Sequence, residues 1–203
     1  MSDLAADAEK SPQNKIALRT RLLTARRSLS DESLDSAAIK IQDQLLELVR
    51  VSKPSTIAAY VPVGAEPGGA GLPGLLAAAL PVGGRLLLPV LLPDDDLDWA
   101  AYDGSLTTAS RGLREPGGPR LGPGAIRTAD LILVPALAVG PTGVRMGRGG
   151  GSYDRVLARL GDPGPFTVAL LHDGEFVAEV PAEPHDRAVR GVITPTDGLI
   201  RLP

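Results

Sequence analysis

A chain of 203 residues, 43% of them hydrophobic, is long enough to bury a core, and its net charge of −3 argues against a dedicated nucleic-acid binder. The absence of cysteine excludes disulfides, thiolate metal sites and a cysteine nucleophile, and two histidines are too few for a His-rich zinc site. The 24 glycines and 19 prolines stay below the roughly 25–30% that marks low complexity. Residues 1–10 hold no apolar signal core, and no apolar run reaches the ~18 residues of a membrane span, so the chain reads as one soluble cytoplasmic domain.

Residues 1–11 read as a disordered lead, after which Ser11 and Pro12 offer an N-cap and a first-turn proline. The stretch 15–29 is predicted to be a basic amphipathic helix. Ser30, Asp31 and Glu32 open a second helix that Pro54 ends. Within it Leu34, Ala38, Ile41, Leu45 and Leu48 recur at helical spacing, an apolar face that requires a covering layer.

From residue 56 the pattern changes to short apolar runs separated by Gly and Pro. The runs 56–61, 85–90, 131–137 and 167–171 are uninterrupted, as strands covered on both faces require. Residues 72–80 and 152–160 are helical candidates between them. The stretch 103–128, dense in Gly, Pro and Arg, reads as a long surface loop or hairpin. This alternation predicts an α/β fold of three layers, a mostly parallel central sheet flanked by helices.

The most informative segment is Arg145-Met-Gly-Arg-Gly-Gly-Gly-Ser-Tyr-Asp-Arg155. Clustered glycines let consecutive backbone N–H groups turn toward one point, and flanking arginines suit a polyanion such as a nucleotide's phosphates. The loop follows a strand and precedes a helix, where ligands of open α/β sheets lie. It is not a P-loop, because no lysine follows Lys53. A dinucleotide fingerprint would need glycine at Ser152, and a nucleophile elbow would need it at Asp154. Flexible turns in a Gly-rich chain remain an alternative, as does a first-turn helix acid for Asp154.

Residues 130–155, running from Asp130-Leu-Ile-Leu-Val-Pro to the glycine motif, resemble the signature of 5-formyltetrahydrofolate cyclo-ligases, also called 5,10-methenyltetrahydrofolate synthetases. Other landmarks stand in the same order: Lys15-Ile-Ala-Leu-Arg19, Tyr60-Val-Pro62 with Glu66, Glu115-Pro116 and His185-Asp186. The resemblance covers about Lys15 to Thr194. It implies the layering of sugar-phosphate isomerases and CoA-transferases, and an ATP- and Mg²⁺-dependent cyclisation of 5-formyltetrahydrofolate to 5,10-methenyltetrahydrofolate. It implies small-molecule partners, ATP and a reduced folate, for a monomer or weak dimer without nucleic acid or membrane.

By the same resemblance Arg148 contacts the transferred phosphoryl group. Lys15, Arg19, Arg145, Gly147, Arg148, Gly149, Gly150, Gly151, Ser152 and Tyr153 bind ATP. Val61 and Glu66 bind the folate together with Arg148, Gly149, Gly150, Gly151 and Ser152, and Asp154 and Asp186 hold the metal. For Lys15 and Arg19 a solvated basic face shared with Arg21, Arg26 and Arg27 is the rival reading.

Two departures stand out: Ser152 replaces an aromatic beside Tyr153, and Glu175 stands where glutamine is common. They motivate a second reading, a folate or nucleotide binder without turnover; a third is an isomerase-like enzyme of the same fold. Asp94, Asp95 and Asp96 read as a solvated turn, Trp99 and Tyr102 as core, and His172 and His185 as lacking partners at ligand spacing.

Overall fold

A computed structural model describes residues 3–161, 164–183 and 186–203, with backbone alone for 3–12. The landmark His185 lies outside the described residues. Two helices precede any strand: α1 spans Asp3–Arg27 and α2 spans Asp31–Ser52. The second begins as its sequence requires. Ser30 Oγ accepts the Ser33 N–H at 3.2 Å, and Asp31 and Glu32 place negative charge in the first turn. It ends where Lys53 turns left-handed at φ 47° ahead of Pro54. Helix α1 differs from the expectation. Ala5, Ala6, Ala8, Glu9 and Lys10 are strong helix formers, so the segment read as a disordered lead is helical from Asp3. Ser11 and Pro12 consequently lie inside the helix rather than at its cap.

Beyond α2 strands and helices alternate: β1 (Thr56–Ala58), α3 (Leu72–Ala79), β2 (Arg85–Leu91) and β3 (Leu97–Ala101). A small hairpin follows, β4 (Thr107–Thr108) with β5 (Arg114–Glu115), inside the stretch expected to be loop or hairpin. Next come β6 (Leu131–Pro135), the short pair β7 (Ala138–Val139) and β8 (Arg145–Met146), and α4 (Ser152–Ala158). The chain closes with β9 (Phe166–Leu170), β10 (Gly191–Thr194) and β11 (Gly198–Arg201).

Among the described residues seven strands form one sheet in the order β11-β10-β9-β6-β1-β2-β3. The inner five are parallel, and β3 and β11 pair antiparallel at the two edges. Side chains alternate between the faces, as a pleated strand dictates. Leu131 and Leu133 of β6 pack with Ile41, Leu45 and Leu48 of α2 and Leu72 and Leu76 of α3. Ile132 and Val134 face the other way, toward Val156 and Leu157 of α4 and Ile126 of a 3₁₀ turn at Pro123–Thr128. The result is the expected helix–sheet–helix sandwich, with Trp99 fully buried.

A third apolar cluster decides where α1 sits. Leu22, supported by Leu18 and Leu23, packs on Leu137, Ala138, Met146 and Val180, just past the carboxyl end of β6. The polar side of the helix is thereby laid along the ends of the parallel strands. At the centre of the sheet, Leu133 is fully buried. Leu133→Ala should cost about 2–5 kcal/mol by chemical denaturation; a loss below about 1 kcal/mol would mean the two helical layers close around the gap.

Candidate active site

The carboxyl ends of β1, β2 and β6 open on a cleft of about 540 Å³. One wall is the segment joining β8 to α4, which holds the glycine motif. Its two ends are clasped to each other: the Arg145 guanidinium, 3% exposed, donates from Nη2 to Asp154 Oδ1 at 2.7 Å. Within the segment Gly149 and Gly151 have φ of 109° and 69°, values that side-chain-bearing residues avoid. Arg19 Nε donates to the Gly147 carbonyl at 3.2 Å, so α1 holds the loop from the other side. Among the described residues no acceptor takes the N–H of Gly149, Gly150 or Gly151.

Facing the loop, β1 runs out into Tyr60, Val61 and Glu66. Tyr60 Oη donates to the Pro67 carbonyl at 2.6 Å and Glu66 Oε2 accepts the Val63 N–H at 2.9 Å, which fixes this turn. Glu66 Oε1 lies 3.4 Å from Arg148 Nε, a loose pair across the cleft with the Arg148 side chain 54% exposed. Among the described residues, two buried polar atoms of residues that line the cleft have no partner, Arg145 Nε and Tyr153 Oη. The Arg145 guanidinium lies 5.9 Å from the Tyr153 ring centre. Burial, helped by the negative charge of Glu66, pushes the Tyr153 phenol far up, so it stays a neutral donor.

Lys15 Nζ lies 2.8 Å from both Glu183 Oε2 and Asp186 Oδ2. Burial pulls the ammonium pKa down, but the hydrogen bonds it donates to Asp186 and Glu183 outweigh this and the net shift is upward. Among the described residues no group of three acidic or histidine side chains is arranged to hold a metal alone. The donors instead fit a Mg²⁺ that arrives with phosphate oxygens and needs one or two carboxylates. Asp154 and Asp186 both line the cleft, each with one oxygen engaged by a cation.

The geometry thus brings Lys15, Arg19, Val61, Glu66, Arg145, Gly147, Arg148, Gly149, Gly150, Gly151, Ser152, Tyr153, Asp154 and Asp186 to one cleft. A model of the 5-formyltetrahydrofolate cyclo-ligase family matches residues 11–195. The chain belongs to that family. It is 42% identical over 198 residues to a 5-formyltetrahydrofolate cyclo-ligase of Mycolicibacterium smegmatis, covering 95% of this chain and 99% of the relative. The fold matches the NMR structure of Aquifex aeolicus 5,10-methenyltetrahydrofolate synthetase with a TM-score of 0.76 at 27% identity, over 93% and 92% of the two chains. A Mycoplasma pneumoniae 5,10-methenyltetrahydrofolate synthetase, at 21% identity and a TM-score of 0.68 over 88% and 96% of the chains, shares the fold. As a cyclo-ligase family member the protein is a ligase.

Against the cyclo-ligase pattern the two departures acquire structural partners. Ser152 Oγ donates to the Asp95 carbonyl at 2.6 Å, and Arg155 Nη2 donates to the same carbonyl at 2.5 Å. Ser152 therefore ties the start of α4 to the turn between β2 and β3, besides lining the cleft. That turn is no mere solvated loop, which corrects the reading of 94–96. Asp96 is buried and accepts from both terminal guanidinium nitrogens of Arg159, Nη1 and Nη2. The signal was available in Arg155 and Arg159, four apart on one helix face, but nothing local names their acceptor.

Glu175 is buried and binds Arg26 through both oxygens, at 2.6 and 2.8 Å, while accepting the His172 N–H at 2.8 Å. Arg26 also donates to the Ala136 carbonyl at 2.5 Å, so it is a buried strut rather than part of a solvated basic face. His172 is partnered too, with Nε2 at 2.9 Å from the Ala65 carbonyl.

Removing one partner of a buried pair strands the other charge, so Glu175→Ala should lose about 3–5 kcal/mol of stability in denaturant titrations. Glu175→Gln should lose less, because its amide oxygen still accepts from Arg26; equal losses would show that the hydrogen bonds matter little. At Asp96 burial favours the neutral acid, but the Arg159 guanidinium prevails and holds the carboxyl below its ordinary value of 3.8. A depressed folded pKa contributes stability above the unfolded pKa and loses it as pH falls through the folded one. The stability gap between the unsubstituted protein and Asp96→Asn should be full at neutral pH and close below pH 3.8; a gap independent of pH would rule out the ion pair as its source.

Proposed function

We propose that this cleft catalyses the ATP-driven cyclisation of 5-formyltetrahydrofolate to 5,10-methenyltetrahydrofolate, releasing ADP and phosphate. The observation that carries the reading is the convergence of Lys15, Arg19, Arg145 and Arg148 on a clasped glycine loop that faces Glu66. An N-formyl oxygen is a poor leaving group. In the proposed sequence it attacks the γ-phosphorus of ATP, the bond to ADP breaks, and a phosphorylated imidate forms. N10 then attacks the formyl carbon, phosphate leaves with the former formyl oxygen, and the N10 proton is released.

Such a transfer asks the protein for positioning and charge stabilisation. The unpaired N–H groups of Gly149, Gly150 and Gly151 and the side chains of Lys15 and Arg19 supply donors for the phosphates. Arg148, half-exposed and only loosely paired with Glu66, is the side chain able to follow the phosphoryl group as it moves. Glu66 accepts from the pterin's N–H groups beside Val61. Asp154 and Asp186 would hold Mg²⁺, which when bound neutralises phosphate charge. Ser152 and Glu175 now have structural duties, so neither favours a binder without turnover. An isomerase-like activity would show no dependence on ATP. No helix among the described residues is long and apolar enough to cross a membrane. The proposed enzyme is cytoplasmic, a monomer or weak dimer.

The test is to mix the protein with 5-formyltetrahydrofolate, Mg²⁺ and ATP and to follow the methenyl chromophore and ADP together. Product should form only with ATP, one ADP per methenyl group. Arg148→Ala should lower kcat by about 10²–10³. No ATP-dependent product would overturn the function, and an unaltered kcat in the variant would remove Arg148 from its role.

A further inference from the structure

The cleft extends past the residues assigned above, in an order set by the sheet. Neighbouring strands β6, β1 and β2 present their carboxyl ends in turn, and β3 enters beside β2. The phosphate-directed cations lie at the β6 end, because α1 is seated on Leu137 and Arg145 follows the β7 strand. Glu66 follows β1. Next along the sheet the lining becomes apolar, with Leu91 of β2, Leu97 of β3 and Leu113. The hairpin formed by β4 and β5 closes this end, and it brings Arg111 and Arg114 to the cleft.

A folate presents its groups in the same sequence: a pterin, an aromatic ring, then a glutamate with two carboxylates. We propose that Arg114 and Arg111 bind the carboxylates of the glutamyl tail, a subsite that rests on the cyclo-ligase reading above. The aromatic ring crosses the apolar strip, which offers no polar partner for it to desolvate. The nearby acids are already occupied. Asp95 Oδ1 accepts from Arg111 Nη1 at 2.7 Å, and Glu115 Oε1 accepts the Leu91 N–H at 2.9 Å. A guanidinium has five N–H donors in a fork that matches a carboxylate, so the contact with Asp95 leaves Arg111 able to bind a second one. Both arginines are exposed, which lets further γ-linked glutamates run out along the hairpin.

Three ligands isolate the tail: 5-formyltetrahydrofolate with one glutamate, the same with three γ-linked glutamates, and 5-formyltetrahydropteroate, which lacks glutamate. Their Kd values are measured by calorimetry on the full chain and on Arg111→Asn/Arg114→Ala; Asn is used because Arg111 has φ 57°, a conformation it tolerates. The double variant should bind both glutamyl forms about three- to tenfold more weakly. Its Kd for the pteroate should be unmoved, as should its melting curve and its KM for ATP. Arg114→Glu alone should weaken the triglutamate most. Equal Kd changes for all three ligands, or none, would overturn the subsite. If the unsubstituted protein binds none of the three, the cyclo-ligase reading itself falls and the subsite with it.

Discussion

A loop rich in glycine is expensive to hold still, because each ordered residue costs about 1–2 kcal/mol of backbone entropy and glycine loses the most. In this protein the clasp between Arg145 and Asp154 offsets part of that cost by joining the two ends of the segment through a part-buried, charge-assisted hydrogen bond. Two further contacts fasten the loop. Arg19 takes the Gly147 carbonyl and Arg155 reaches the Gly150 carbonyl at 3.4 Å. These are acceptors; the N–H groups of residues 149–151 are left for a ligand. A loop fastened without the use of these N–H groups is already organised for an anion before one arrives.

The same clasp separates fixed from mobile charge. A buried pair loses about 3–5 kcal/mol when one member is removed, whereas a half-exposed pair contributes about 0.2–1 kcal/mol. Arg145 with Asp154, at 3% and 21% side-chain exposure, lies nearer the first kind, and Arg148 with Glu66 at 3.4 Å belongs to the second. A polyanion entering the cleft can therefore take Arg148 from Glu66 at little cost while Arg145 keeps its partner. On the proposed reading, Glu66 is then released toward donors on the folate. Charge compensation within the cleft works as a set of exchangeable partners, with one pair kept out of the exchange.

How much of this was legible in the sequence depends on how local each signal is. The apolar runs of β1, β2, β6 and β9 and the spacing of Ile41, Leu45 and Leu48 are local, and they gave the three layers and the strand ends where the site lies. The glycine cluster is local as well. The strands β10 and β11 have four residues each, and the edge strand β3 carries Asp98 beside Trp99, which hides its pattern. The struts of the site are not local at all. Arg26 and Glu175 are 149 residues apart, and Ser152 and Asp95 are 57 apart. A side chain that pairs across the fold carries the same letter as one in solvent, so Arg26 read as part of a basic face and Asp96 as part of a solvated turn.

Ser152 shows what such distant pairing does to a departure from a family pattern. Judged by position alone, replacing an aromatic with serine removes a wall from the cleft. The hydroxyl, however, can do what a ring cannot: it reaches the Asp95 carbonyl at 2.6 Å and shares it with Arg155. That carbonyl is presented by a left-handed Asp95 at φ 62°, a strained conformation that aspartate tolerates better than most residues. Asp95 also binds Arg111 through its carboxylate, so a single residue connects the glycine loop on one side to the arginine hairpin on the other. The serine and the turn are thus one device, and the consequence of the departure is set by a residue far from it in the chain.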